Sequence, residues 1–214
     1  MSAQSATRLQ GSLGADAREL ARPEASRALR SEFMRRHADA VYELLTEDYT
    51  REIRVEQLVF EAARRFPGLV PTREQIGAER TLKQSQKQGA ELDQGIFLSH
   101  VLARPRAGAH LCHVMLRPRP EALELIESFR QSGVADLGLA TVERHDHAGH
   151  VNLRNPRFLN AEDDAATAAL EIGVDLVLLD PSCEVGVLRG AEVDHPRYSG
   201  RRVFNAGINL THLY

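Results

Sequence analysis

The residues with the clearest chemical potential lie near the carboxyl end, in the run RRVFNAGINL at residues 201–210. A short apolar stretch leads there into Gly207, which can adopt backbone angles that a side chain forbids. The chain can therefore turn sharply and leave a main-chain amide pointing outward. A helix that begins after the turn adds unpaired N–H groups and a partial positive charge. Such a donor stabilises an oxyanion in a transition state, although an ordinary glycine-assisted turn has the same pattern.

A basic loop precedes this turn, with the sequence HPRYSGRR at residues 195–202. Arginines offer forked donors for phosphate, and the rings of His195 and Tyr198 offer flat faces for adenine. A solvated basic loop has the same composition. The loop therefore indicates either a nucleotide-binding segment or an exposed surface.

Two other groups carry side chains capable of chemistry. His145, His147 and His150 surround an aspartate, and two imidazoles on one strand face can bind a metal. The cluster coincides with a turn, where polar residues are expected, and it lacks clear further ligands, so we predict no metal site. Cys183 follows Asp-Pro-Ser without an evident base, which favours a turn residue over a nucleophile.

A set of upstream runs makes the carboxyl-terminal pattern specific. VNLRNP at residues 151–156 is followed by NAED at 160–163 and by VGVLRG at 185–190. In this order, and with AGIN at residues 206–209, they resemble the crotonase (enoyl-CoA hydratase/isomerase) superfamily. The resemblance covers roughly residues 136–214.

The preceding region resembles one branch of that superfamily, the 3,5-dihydroxyphenylacetyl-CoA 1,2-dioxygenases of glycopeptide-antibiotic pathways. The matching runs are FPGLVPT at residues 66–72, DQGIF at 93–97 and HPRY at 195–198. The resemblance implies an enzyme that converts 3,5-dihydroxyphenylacetyl-CoA and O2 to 3,5-dihydroxyphenylglyoxylate and coenzyme A without metal, flavin or other cofactor. It also implies a homo-oligomer, either a trimer or a hexamer.

The resemblance assigns roles to individual residues. The N–H of Ile208 would donate to the thioester oxygen and form half of an oxyanion hole. Glu162 replaces the usual apolar residue after Asn-Ala and would meet a ring hydroxyl, although an acid at a helix start also complements the helix dipole. The coenzyme A contacts would come from His195, Arg197, Tyr198, Ala206, Gly207, Asn209 and Leu210. We expect the second oxyanion donor and the O2 pocket to lie beyond this sequence.

Three other functions stay open. An enoyl-CoA hydratase/isomerase of the same superfamily places its acid and base later in the fold, but Glu162 and the helical N-terminal region count against it. An acyl-CoA thioester hydrolase would use the same oxyanion hole. The third is a non-catalytic assembly module whose helices mediate oligomer contacts.

Hydrophobic periodicity predicts the elements that would position these residues. We expect a flexible tail at residues 1–22 and an all-helical unit at 23–132. Its helices lie near residues 25–45, 55–66 and 121–129. A more polar helix, Thr72–Gln88, opens with a Thr72–Gln75 capping box and is a candidate oligomer contact.

The period of the hydrophobic pattern changes after residue 132, from helical spacing to the alternation of strands. A hairpin is predicted near residues 137–154, a helix at 161–179 and a buried strand at 185–188. Strand, helix and strand in this order predict a parallel crossover. The fold class is therefore α/β: an all-helical unit followed, at residues 133–214, by the first and incomplete part of a crotonase-like β/α spiral.

Bulk composition excludes several classes. The net charge of −3 and a pI of about 6.3 argue against a nucleic-acid-binding domain. No apolar stretch approaches the ~20 residues of a membrane span, and the amino terminus lacks the apolar core of a signal peptide. Two distant cysteines, Cys112 and Cys183, form no disulfide framework. We therefore expect a cytoplasmic protein.

Overall fold

The computed structural model describes residues 13–20, 26–193 and 195–209. The chain divides into two compact units, unit 1 running to Arg117 and unit 2 beginning at Pro118. Each unit has its own cluster of buried apolar side chains. The fold is mixed α/β, as the sequence predicted. None of the described helices has the length and apolarity to cross a bilayer.

Unit 1 is helical in its described part. Its helices are α1 (residues 13–20), α2 (Arg27–Leu45), α3 (Val55–Arg65), α4 (Arg73–Arg80), α5 (Ala90–Leu102) and α6 (Pro105–Met115), with a 3-10 turn at Gln84–Gln86. Helices α2 and α3 confirm the predictions made from periodicity. The capping box is also confirmed. The Thr72 hydroxyl accepts from the Gln75 amide, and the Gln75 side chain accepts from the Thr72 amide.

The core of unit 1 joins α2 to the later helices. Phe97 of α5 is fully buried in the apolar cluster that also contains Tyr42 of α2. The Tyr42 hydroxyl lies 2.8 Å from His110 Nδ1, and burial raises the pKa of Tyr42 to about 12. Asp93 of α5 forms ion pairs with Arg27 and Arg30 of α2, each at 3.1 Å. The DQGIF run therefore ties α5 to α2.

The polar helix of unit 1 is shorter than its sequence suggests. The predicted single helix from Thr72 to Gln88 is wrong, because α4 ends at Arg80. The Glu79 carboxylate turns towards the start of α5 and accepts hydrogen bonds from the amides of Gly89 and Ala90, at 2.8 and 2.6 Å. This capping of α5 requires the chain to bend where the predicted helix would continue.

Two predicted boundaries differ from the structure. The range 1–22, predicted to be a flexible tail, contains α1, whose Leu13 and Leu20 are buried in the core of unit 1. The rest of that range lies outside the described residues. Helix α7 (Pro120–Ser132) was assigned to the helical unit, but its Phe129 is buried in the core of unit 2. The division observed at Arg117 therefore precedes α7.

Unit 2 contains a four-stranded sheet, and one helix connects its two parallel strands. After α7 come β1 (Val134–Asp136), β2 (Ala140–His145), β3 (Ala148–Leu153), a 3-10 turn at Pro156–Phe158, α8 (Asp164–Leu179) and β4 (Val185–Gly190). The strand order is β1-β2-β3-β4. Strands β2 and β3 are antiparallel, whereas β3 and β4 are parallel and joined through α8. The predicted hairpin and parallel crossover are confirmed. The prediction that the strand at 185–188 is buried is wrong, because β4 lies at the edge of this sheet and its Val185 and Leu188 are exposed.

A buried ion pair connects the end of α8 to strand β2. Asp180, which follows the last residue of α8, pairs with Arg144 of β2, and the side chain of Asp180 is 1% exposed. Burial alone would raise the pKa of Asp180. The Ser182 amide, at 2.9 Å, and the Arg144 guanidinium outweigh that effect and hold the pKa below its ordinary value. Asp180 is therefore ionised in the folded chain.

We expect Asp180→Asn to lower the free energy of unfolding by about 3 kcal/mol, since it leaves the Arg144 charge without its counter-ion. The loss lies at the lower end of the range for buried pairs because Arg144 is 20% exposed. Because the pKa is lower in the folded chain, the wild-type contribution is complete above about pH 4 and is lost as the pH falls below it. Urea unfolding at several pH values measures both effects.

The matched control is Asp136→Asn, which removes the exposed pair between Asp136 and Arg154. This change should have a much smaller effect because both partners keep contact with water. Equal losses in the two variants at pH 7 would contradict the role assigned to burial.

Candidate active site

The candidate site forms where the Gly207 turn meets the start of α8. Gly207 has a φ of +99°, in the region that favours glycine. Ile208 and Glu162 form a parallel bridge. In it, the Glu162 amide donates to the Gly207 carbonyl at 2.9 Å, and the Asn209 amide donates to the Glu162 carbonyl at 2.7 Å. The structure thus brings together the two residues that the resemblance singled out.

The Ile208 amide points away from this bridge. In a parallel bridge the flanking residues bond to the partner, so the peptide groups of the central residue face the other side. Within the described residues, no acceptor lies in hydrogen-bonding distance of the Ile208 N–H. Ile208 as a whole is 77% exposed.

The Glu162 carboxylate is half-buried beside the turn. Its Oε1 accepts a hydrogen bond from the Asn205 side-chain amide. The Asn205 side-chain oxygen in turn accepts from the Gly207 amide. No donor among the described residues lies in hydrogen-bonding distance of Glu162 Oε2.

A buried asparagine holds the surrounding segments together. Asn160 is fully buried and has a φ of +58°, which asparagine tolerates better than most residues. Its Oδ1 accepts from the Asn155 amide at 2.8 Å, and its Nδ2 donates to the carbonyls of Ala191 and Val203 at 2.9 and 2.8 Å. One side chain therefore links the segments that follow β3 and β4 to the segment that leads into Gly207.

The basic loop folds into a compact turn. The rings of His195 and Tyr198 stack with centroids 5.2 Å apart, and the Arg197 guanidinium lies 5.5 Å from the Tyr198 ring. The His195 Nδ1 accepts from the Arg197 amide at 3.1 Å. The backbones of Arg202 and Glu192 form an isolated antiparallel β-bridge. The loop thus presents two stacked rings and an exposed guanidinium, a combination that suits a nucleotide.

The elements predicted at the end of the chain differ from the structure. Residues 203–206 form no regular strand, and Ile208 lies in an isolated bridge. The helix predicted to follow the turn extends into residues outside the described part of the chain. The side-chain contact of Asn205 with the Gly207 amide replaces the ladder hydrogen bond of a strand. Leu210, a predicted coenzyme A contact, lies outside the described residues. Ala206 and Asn209 flank the turn, where Ala206 is exposed and Asn209 is buried.

The histidine cluster lies at and near the β2-β3 hairpin, with His145 in β2, His147 in the turn and His150 in β3. The rings of His145 and His150 are 5.1 Å apart, and His145 Nε2 lies 3.1 Å from a Glu143 carboxylate oxygen. Arg189 donates to His150 Nδ1, and burial together with this cation lowers the pKa of His150. In the ranges the structure covers, no group of three or more His, Cys, Asp or Glu side chains is arranged to hold a metal ion.

Cys183 is half-buried next to the end of α8. Burial raises the pKa of its thiol, and the nearby Asp180 carboxylate raises it further by a smaller amount. Because the thiolate is the reactive form, this environment disfavours a nucleophilic role.

Sequence reasoning missed Asn160 and Asn205 as residues that shape the site. Asn160 belongs to the NAED run and Asn205 to the run at residues 201–210, but their contacts reach residues distant in sequence. For Asn160, the Asn-Ala pair between a strand and a helix was the one available signal, since asparagine readily adopts the left-handed conformation.

A known relative matches most of the chain. The chain is 46% identical over 187 residues to a protein of Amycolatopsis orientalis named (3,5-dihydroxyphenyl)acetyl-CoA 1,2-dioxygenase. The similarity covers 87% of this chain and 43% of the relative. The chain therefore spans less than half of the relative's length. No protein-family model matches the chain.

Proposed function

We propose that this chain carries part of the active site of a dioxygenase that converts 3,5-dihydroxyphenylacetyl-CoA and O2 to 3,5-dihydroxyphenylglyoxylate and coenzyme A. The observation that carries the proposal is the 46% identity, over 87% of the chain, to a relative named for a dioxygenase activity on that thioester. The outward-facing Ile208 amide beside the half-buried Glu162 supports it. We propose no metal or other cofactor for the reaction.

The first proposed step is removal of a proton from the carbon next to the thioester. Negative charge then moves onto the thioester oxygen, where the Ile208 N–H stabilises it. One such donor contributes about 2.7–4 kcal/mol in characterised enzymes. The dihydroxyphenyl ring spreads the remaining charge. These two effects together make the carbon electron-rich enough to react with O2.

The second proposed step is the reaction with oxygen. The carbanion gives two electrons to O2 and forms a C–O bond, which leaves a peroxide. The peroxide attacks the thioester carbonyl, and coenzyme A leaves as a thiolate that takes up a proton. The O–O bond breaks as the second hydrogen on the carbon leaves as a proton. Both oxygen atoms enter the product, so the electrons balance without another reductant.

The remaining side chains would bind and orient the substrate. Glu162 would accept a hydrogen bond from a ring hydroxyl through Oε2. Arg197 would meet a phosphate of coenzyme A, and the stacked rings of His195 and Tyr198 would face its adenine. Further coenzyme A contacts would come from the turn itself, namely Ala206, Gly207, Asn209 and Leu210.

Fold and assembly follow the same proposal. We propose that unit 2 is the beginning of a crotonase-like spiral and that its parallel β3-α8-β4 crossover is one repeat of it. We propose a cytoplasmic homo-oligomer, either a trimer or a hexamer. Sedimentation of the full-length protein measures its size.

The decisive experiment compares turnover in air and under argon. The full-length protein, freed of metal by chelation, is given 3,5-dihydroxyphenylacetyl-CoA while oxygen uptake and thiol release are recorded. We expect one O2 consumed for each coenzyme A released in air, and release at background under argon. Release that continues unchanged under argon would identify a thioester hydrolase and overturn the proposal. Absence of thioester binding would favour an assembly module.

A further inference from the structure

We propose that Asn205 is a positioning residue that couples the Glu162 carboxylate to the Gly207–Ile208 turn. Its side-chain Nδ2 donates to Glu162 Oε1, and its Oδ1 accepts from the Gly207 amide. This inference rests on the proposed function, because the turn matters through the Ile208 amide that follows it.

The two contacts of Asn205 require a side chain that can both donate and accept a hydrogen bond. A carboxylate can only accept a hydrogen bond, whereas a peptide N–H can only donate one. The residue between them must therefore donate on one side and accept on the other. Aspartate would set a second negative charge against Glu162, and leucine would offer neither group. The orientation of the Asn205 amide follows from the same requirement.

The turn depends on these contacts because little else packs against it. Within the part of the chain that the structure describes, no atom lies within 4 Å of the place where a Cβ of Gly207 would be, apart from its own neighbours in the chain. Asn205 holds the Gly207 amide, and the Glu162 amide holds the Gly207 carbonyl. Loss of the Asn205 contact frees the Ala206–Gly207 peptide group, on the amino-terminal side of Gly207. The Gly207–Ile208 peptide group is then held through the Gly207 carbonyl alone, which leaves the Ile208 N–H less firmly directed.

The same contact orients Glu162. By donating to Oε1, Asn205 holds one oxygen of the carboxylate and so restricts the rotation of the other, Oε2. Asn205 thereby fixes both the donor for the thioester oxygen and the acceptor for the ring hydroxyl. A single side chain thus sets the relative position of the two protein groups that would bind the two ends of the substrate.

A donor-acceptor exchange tests this coupling. The four proteins are wild type, Asn205→Asp, Glu162→Gln and the double variant. In the double variant the new amide at position 162 can donate to the new carboxylate at position 205, which can still accept from the Gly207 amide. The two hydrogen bonds are therefore restored with one polarity reversed. The rate of proton exchange at the substrate carbon, under argon in D2O, reports on the oxyanion turn without involving O2.

We expect Asn205→Asp to lower the kcat of exchange about 100-fold in the wild-type background, since a misplaced catalytic group of this kind costs about that factor. In the Glu162→Gln background the same substitution should lower kcat less than about 3-fold. The KM for the thioester should change little because the basic loop is unaltered. Equal losses in both backgrounds would overturn the proposal.

A substrate-free measurement separates this inference from the proposed function. Amide hydrogen exchange in peptides spanning residues 203–209 should accelerate in Asn205→Asp and return to the wild-type rate in the double variant. Identical exchange in all four proteins would refute the positioning role, whatever the turnover assay gives. A wild-type protein that neither exchanges the substrate proton nor consumes O2 would instead refute the proposed function.

Discussion

Replacing Gly190 with alanine should prevent unit 2 from reaching its native structure. A Cβ at Gly190 would lie 1.8 Å from the Val203 carbonyl oxygen and 2.7 Å from the Phe204 carbonyl oxygen. Both are backbone atoms, so no side-chain rotation relieves the overlap. The segment that leads to Gly207 would have to move away from β4. Overpacking usually costs about 1–3 kcal/mol, and a main-chain overlap of this depth should exceed that range.

The matched control is Gly186→Ala in the same strand. A Cβ there would lie 3.5 Å from Val177 Cγ1, an ordinary van der Waals distance. Thermal unfolding followed by circular dichroism should show a melting temperature near that of wild type for Gly186→Ala. The Gly190→Ala variant should lose its folding transition or melt well below it. Similar melting temperatures would mean that residues 203–204 do not approach β4 this closely.

Local signals explain which elements the sequence could predict. Helix α3 has its buried residues on one face, and Pro67-Gly68 follows its end. The capping box at Thr72 and Gln75 involves residues three positions apart. The β3-α8-β4 crossover combines a change of period with a known handedness rule. Each of these inferences needed only residues close together in the chain.

The missed elements depend on contacts between distant residues. Helix α4 stops because Glu79 caps α5, and nothing near Arg80 in the sequence indicates this. Helix α7 has an ordinary amphipathic pattern, which does not reveal whether its apolar face packs with earlier helices or with the sheet. Periodicity predicts a buried face without identifying its partner.

The candidate site shows the same division. Resemblance named Glu162 and Ile208, and the structure places them side by side in one bridge. The sequence could not show which asparagines hold these two residues in place, because a buried amide stabilises the structure only through its hydrogen-bond partners. Asn155, Asn160 and Asn205 look alike in the sequence, yet their side chains bond to different segments.

Asn160→Ala should be the most damaging single side-chain truncation in unit 2. It removes one acceptor and two donors, which leaves the Asn155 amide and the carbonyls of Ala191 and Val203 without these partners. An unsatisfied buried polar group costs about 1–3 kcal/mol. The left-handed backbone at position 160 adds roughly 1–2 kcal/mol for alanine. Three such groups together with the backbone term cost about 4–11 kcal/mol, which rivals the whole stability of a typical domain.

Asn152→Ala provides the control, since Asn152 is similarly buried in the same unit but donates only one long hydrogen bond, 3.4 Å, to Thr141. Urea unfolding should give it a loss of about 1–2 kcal/mol. If Asn160→Ala still folds, amide exchange in residues 203–209 should accelerate, because the Val203 carbonyl has lost its link to the segments after β3 and β4. Equal destabilisation by the two substitutions, with unchanged exchange, would mean that Asn160 fills space without joining these segments.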